Sequence, residues 1–117
     1  MEANKVLNLM FEMKVNTHII HLQTDSMSEH KTLQQFYECI EPILDEYAEQ
    51  YMGITGKDIS KIGSIQVKEG ARIDTYLKEC ASKLEEYKNS EENFILEDIA
   101  GDALKLIYKT LYLLKLT

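Results

Sequence analysis

The sequence predicts an all-α fold, a four-helix bundle formed by a single domain over residues 1–117. Three observations predict it. The chain has 117 residues, enough for one core and too few for two. Only one proline and five glycines interrupt it, which favours long continuous elements over many short turns. Apolar residues recur at steps of three and four in four separate segments, the signature of helices with one buried face.

The first helix is expected from about Glu2 to Thr24. Leu7, Met10, Phe11, His18, His21 and Leu22 share one broad face. This helix is more apolar than a surface helix needs, so it is expected to pack on two sides. The second starts where Ser26 and Glu29 have the spacing of a capping box. Its stripe is His30, Leu33, Tyr37, Ile40, Leu44, Tyr47 and Tyr51, and Gly53 is expected to stop it. Pro42 lies inside it, removes one backbone hydrogen bond at a cost of roughly 3 kcal/mol, and predicts a kink between Glu38 and Pro42. From Ile54 to Gly70 the pattern is weakest. Ser64–Lys68 alternates like a strand, but a lone short strand has no partner, so the stretch reads as a connecting segment with room for one helical turn. The third helix is expected from about Ala71 to Lys88, with Ile73, Tyr76, Leu77, Cys80, Leu84 and Tyr87 inward. Asn89 and Ser90 then form a turn and supply a cap. The fourth runs from about Glu92 to Leu116, with Ile95, Ile99, Ala103, Leu106, Ile107, Thr110, Leu113 and Leu114 inward and Gly101 a local weak point.

Charge and composition exclude several classes. The net charge is −7, with 20 acidic against 13 basic residues, which disfavours nucleic-acid backbones and favours cations. The two cysteines, Cys39 and Cys80, form no CxxC pair and read as reduced thiols of a cytoplasmic protein. No segment reads as a signal peptide or as a membrane span. No phosphate-binding glycine loop, HExxH or EF-hand is present. The five methionines read as packing, the tyrosines as core or interface residues, and Lys83–Lys88 as a solvated helix surface.

Two short connections and one long one have a topological consequence. An antiparallel pair needs only a short loop, so the 17 residues Ile54–Gly70 are expected to cross over along the bundle between helices two and three.

The chemistry-bearing residues are few. The chain has three histidines, His18, His21 and His30, all in the first two helices. Asp45 and Glu49 stand one turn apart further along helix two. Imidazole with carboxylate oxygens is a donor set that suits Fe(II) and leaves positions open for oxygen or peroxide. Each residue alone has a plainer reading: a histidine on an apolar face as a hydrogen-bonded core residue, carboxylates beside Glu41 and Glu46 as a solvated face.

The order His18, His30, Asp45, Glu49, with gaps of 12, 15 and 4, resembles the ferroxidase motif of the Dps family of mini-ferritins. Glu29-His30 through Asp45-Glu46-Tyr47-Ala48-Glu49 resembles that family's second helix, and Glu97–Asp102 with Lys109–Leu114 its last. The resemblance implies a ferritin-like bundle and an iron site shared between two subunits. His18 and His30 would come from one chain; Asp45 and Glu49 would come from its two-fold partner, with Glu49 bridging to a second iron position. By its spacing His21, one turn from His18, is either an additional ligand or a residue that orients one. Fe(II) would be oxidised there by hydrogen peroxide or oxygen, and twelve subunits would form a shell storing ferric oxide. The chain departs from the pattern at Gln34, where an acidic ligand is common, at Ile19-Ile20-His21, and between Gly53 and Ile73. It has no lysine-rich tail for DNA. The alternative is a ferritin-like structural or interaction protein without metal chemistry; a helical adaptor unrelated to ferritins is the third option.

Overall fold

A computed structural model describes residues 3–68 and 70–116. It contains α1 (Ala3–Gln23), α2 (Met27–Thr55), α3 (Ile73–Ser90) and α4 (Phe94–Leu114), and no strand among the described residues. The expected start of the first helix at Glu2 lies outside the described residues.

The helix ends follow from individual hydrogen bonds. Ser26 caps α2, its hydroxyl accepting the Glu29 N–H at 3.1 Å. The returning half of the capping box is replaced: the Ser26 N–H donates to the Thr24 hydroxyl at 3.1 Å. Gly53 does not stop α2. It keeps helical backbone, and the helix runs on to Thr55, because the left-handed turn that ends it falls at Gly56 (φ +70°). The Gly56 N–H closes that turn onto the Met52 carbonyl at 2.9 Å. Pro42 lies on the exposed side of α2, and the helix is continuous through it. At the next junction Asn89 and Ser90 are still helical. The cap of α4 is Asn93, whose side-chain oxygen accepts the Ile95 and Leu96 N–H groups at 3.0 and 3.2 Å.

One apolar core joins the four helices. α1 packs on α2 and α3, and α4 packs on the same two, so α1 and α4 sit on one diagonal and α2 and α3 on the other. From α2 the buried residues are Leu33, Phe36, Ile40, Leu44 and Tyr47, while Tyr37 and Tyr51 are only half-buried. All six residues expected inward on α3 are buried. On α1 the sequence stripe is displaced: His18 and Leu22 are exposed, and Met13, Asn16, Thr17 and Ile20 are buried beside Met10 and His21. A helix with apolar residues all round gives its periodicity no single face to mark.

The connecting segment lies along α1, held by three side chains one turn apart. Asn8 Nδ2 donates to the carbonyls of Ile62 (2.8 Å) and Ser64 (3.1 Å). Glu12 accepts the Gln66 N–H at 3.1 Å. Asn16 donates to the Gln66 carbonyl at 3.0 Å and accepts the Lys68 N–H at 2.8 Å. The strand-like alternation of Ser64–Lys68 therefore has a physical basis: helix side chains stand where a neighbouring strand would be. Asn16, 1% exposed, also donates to the Tyr76 hydroxyl at 3.0 Å and so ties α1, the segment and α3 together. Gly63 is required by its backbone (φ +98°) and by space, since a Cβ there would stand 3.3 Å from Asn8 Nδ2.

Candidate functional site

The last turn of α1 and the first turn of α2 bring the three histidines together. His21 is buried and His30 half-buried. His21 Nδ1 lies 2.6 Å from the His30 carbonyl, and His30 Nδ1 lies 2.8 Å from the His21 carbonyl. A carbonyl oxygen can only accept, so each Nδ1 carries a proton and donates it. In the neutral form of either ring the lone pair then lies on Nε2, the arrangement by which backbone carbonyls orient metal-ligating histidines. The two rings stack with centroids 3.7 Å apart and planes 19° from parallel.

His18 stacks on Tyr37 of α2, with centroids 4.1 Å apart at 14°. Both rings meet His21 edge-on, His18 at 5.9 Å and Tyr37 at 5.2 Å. His18 is exposed, so its ring remains accessible from solvent. The sequence singles out the histidines but marks Tyr37 only as a core or interface residue. Its position seven residues after His30, two turns along one helix face, was the signal that it adjoins them.

Asp45 and Glu49 stand on the exposed side of α2, beside the buried Leu44 and Tyr47. Fifteen residues of helix separate His30 from Asp45, about 22 Å at 1.5 Å per residue. One chain therefore does not bring the histidines and the carboxylates together. Among the described residues, no three His, Cys, Asp or Glu side chains of one chain gather closely enough to hold an ion. Gln34, where an acidic ligand was absent, donates to Glu38 at 3.0 Å.

A second polar cluster, not anticipated as such, lies towards the other end of α2. The Tyr47 and Tyr87 hydroxyls are 2.5 Å apart, and Tyr87 donates to Glu91 at 2.7 Å. Tyr47 then supplies the proton between the two phenols. Burial pushes Tyr47 up to about 12. Tyr87 is raised further, chiefly by burial and then by its bonds to Tyr47 and Glu91. The sequence marks Tyr47 and Tyr87 each as an inward residue of its own helix; their mutual bond joins two helices that nothing in the sequence pairs. Cys39 is exposed and Cys80 buried, both as free thiols, and burial pushes the Cys80 thiol up to about 11.

No helix among the described residues is long and apolar enough to cross a membrane. No solved structure is significantly similar to the chain. An uncharacterized 14.6 kDa protein in the mobD-ri intergenic region of Enterobacteria phage T4 is similar, 27% identical over 122 residues covering 98% of this chain and 89% of that protein. The model of the family described as "Family of unknown function (DUF5856)" matches residues 21–114, and the chain belongs to that family.

Proposed function

We propose that this protein is a Dps-like, ferritin-like iron-binding protein that takes Fe(II) as substrate at a site shared by two copies of the chain. The observation that carries the reading is the paired donation of His21 and His30 Nδ1 to backbone carbonyls, which reserves Nε2 of each neutral ring as the ligating atom, beside the accessible His18. His18 and His30 supply nitrogen from one copy, with His21 adjoining. Asp45 and Glu49, exposed and about 22 Å away along the same helix, supply oxygen to the other copy's histidines. At such a site two Fe(II) ions each give one electron to hydrogen peroxide, which takes up two protons and leaves as two waters. A homodimer is the smallest unit that completes the site, and a dodecameric shell would store the ferric product.

A ferritin-like bundle with a crossover between α2 and α3 belongs to this reading. It is supported by the order in which the connecting segment meets α1: Ile62 and Ser64 at Asn8, then Gln66 and Lys68 at Asn16. It is also supported by a cleft that Ile20, Glu29, Arg72, Ile73 and Leu114 line together, with the start of α3 beside the start of α2.

The alternative, a ferritin-like structural or interaction protein without metal chemistry, is favoured by the histidine stack. Ring planes 19° from parallel at 3.7 Å do not converge on one ion, and the two reciprocal bonds close the α1–α2 turn as a clasp would. Anaerobic titration with Fe(II), followed by hydrogen peroxide and monitored by ultraviolet absorbance, separates the readings. Saturable binding and fast oxidation that His30→Ala abolishes are expected for the iron protein. Binding no greater than background would leave the clasp.

A further inference from the structure

The outer face of α4 is complementary to itself. Phe94, Asp98, Asp102, Lys105, Lys109 and Tyr112 follow one another along it, all exposed. Steps of three and four keep them on one side of the helix. Their order is aromatic, acid, acid, base, base, aromatic. Reversed and laid against itself, that order sets each acid against a base and each aromatic against an aromatic. Tyr108 is engaged elsewhere, its hydroxyl donating to Glu85 of α3.

The four charges have no use within the chain. Among the described residues the ion pairs are Lys14–Glu41, Arg72–Asp74 and Lys88–Glu97, so Asp98, Asp102, Lys105 and Lys109 are all without one. The helix dipole acts on the first and last turns, and these four lie between them. Phe94 and Tyr112, at the two ends of the face, are 72% and 60% exposed. Between them Asp98, Gly101, Asp102 and Lys105 line a hollow with Lys88 of α3, since Gly101 presents no side chain.

The rest of the molecule favours this face over others. The chain carries −7 net, yet two acids and two bases balance here, so two copies can approach on this side without repulsion. The exposed side of α2 holds Glu38, Glu41, Asp45, Glu46 and Glu49, and two copies of it would repel. The connecting segment runs along α1, diagonally across the bundle from α4, so it does not cross the outer side of α4.

We infer that a second copy of this chain packs on this face, α4 antiparallel to α4, about a two-fold axis level with the step from Asp102 to Lys105. Phe94 then meets Tyr112 of the second copy, Asp98 meets its Lys109, and Asp102 meets its Lys105, which reaches in beside Gly101. The symmetry repeats each contact, over about 27 Å of helix at 1.5 Å per residue. The aromatic pairs at the two ends supply most of the attraction. Exposed ion pairs add little energy, but they fix direction, because a parallel pairing would set acid on acid and base on base. None of these residues belongs to the candidate iron site, so the inference is independent of that reading.

Exchanging charge between two chains tests it. Lys105→Glu with Lys109→Glu makes the face wholly acidic, and Asp98→Lys with Asp102→Lys makes it wholly basic. All four positions are exposed, so helical circular dichroism is expected to be unchanged in both. The wild-type chain is expected to self-associate at tens of micromolar in sedimentation, and each variant alone to do so at least about tenfold more weakly. An equimolar mixture of the two is expected to recover association, because every charged contact of the mixed pair is again acid against base. A wild-type monomer at that concentration would overturn the inference and leave the face to a different partner. Variants that associate as the wild type does, or a mixture that associates no better than its parts, would overturn it as well.

Discussion

At the scale of single residues, polar side chains rather than apolar ones fix the arrangement that a bundle's core leaves free. Asn16 uses both amide hydrogens and its carbonyl, on Gln66, Tyr76 and Lys68, from a fully buried position. Replacing it by alanine leaves a buried phenol and two backbone groups short of partners. Asn16→Ala is expected to cost about 2 kcal/mol and to free the connecting segment, measured by urea unfolding and by amide exchange at Gln66 and Lys68. Asp45 sits on the exposed side of α2 with no such structural duty, so Asp45→Asn is expected to leave the unfolding free energy measured in urea within about 0.5 kcal/mol of wild type. The histidines were legible in the sequence as a group of three confined to two helices. Their reciprocal bonding was not, because it depends on how tightly Thr24–Ser26 turns the chain.

At the scale of elements, helix existence was legible and helix ends were less so. The four stripes marked four helices because three- and four-residue spacing survives local irregularities such as Pro42. The stop at Gly53 failed because glycine permits a left-handed turn without demanding one, and three residues later Gly56 takes it. Asn89-Ser90 resembled a cap as much as Asn93 does; which asparagine meets free N–H groups is decided by where α4 leaves α3. The face of α1 was misread since helix, segment and outer surface all claim apolar residues on it. Ile54–Gly70 reads from the sequence as a connecting segment, and beyond Gly56 it is one; what holds Ser64–Lys68 is invisible in the sequence because it is a row of helix side chains. Gly63 is the sensitive point of this segment. Gly63→Ala, with positive φ and a Cβ contact at 3.3 Å, is expected to destabilise by about 1–2 kcal/mol, read as a lowered thermal midpoint, whereas Gly53→Ala inside α2 is expected to stabilise.

At the scale of the whole molecule, two properties stand out. Tyr47, Tyr76 and Tyr87, three of the seven tyrosines, are held protonated by burial. Their folded-state values are raised, so the stability they contribute is fully present below the ordinary phenol value of 10.0. It is lost as pH rises through that value towards about 12 at Tyr47. Steep alkaline unfolding is expected in that window, followed by circular dichroism together with tyrosinate absorbance, and Tyr47→Phe should make it shallower. The second property is division of the candidate site. Its nitrogen and oxygen donors lie on one chain but about 22 Å apart along α2, so the iron reading requires that two copies exchange them.

Subunit mixing measures that exchange directly. His30→Ala and Asp45→Asn chains, each deficient alone, are unfolded together, refolded and assayed for Fe(II) oxidation by peroxide. A shared site predicts recovery of about a quarter of wild-type activity, because half of the dimers are mixed and each holds one intact site. No recovery from the mixed pool, or full activity in either variant alone, would contradict a site built from His18 and His30 of one copy and Asp45 and Glu49 of the other.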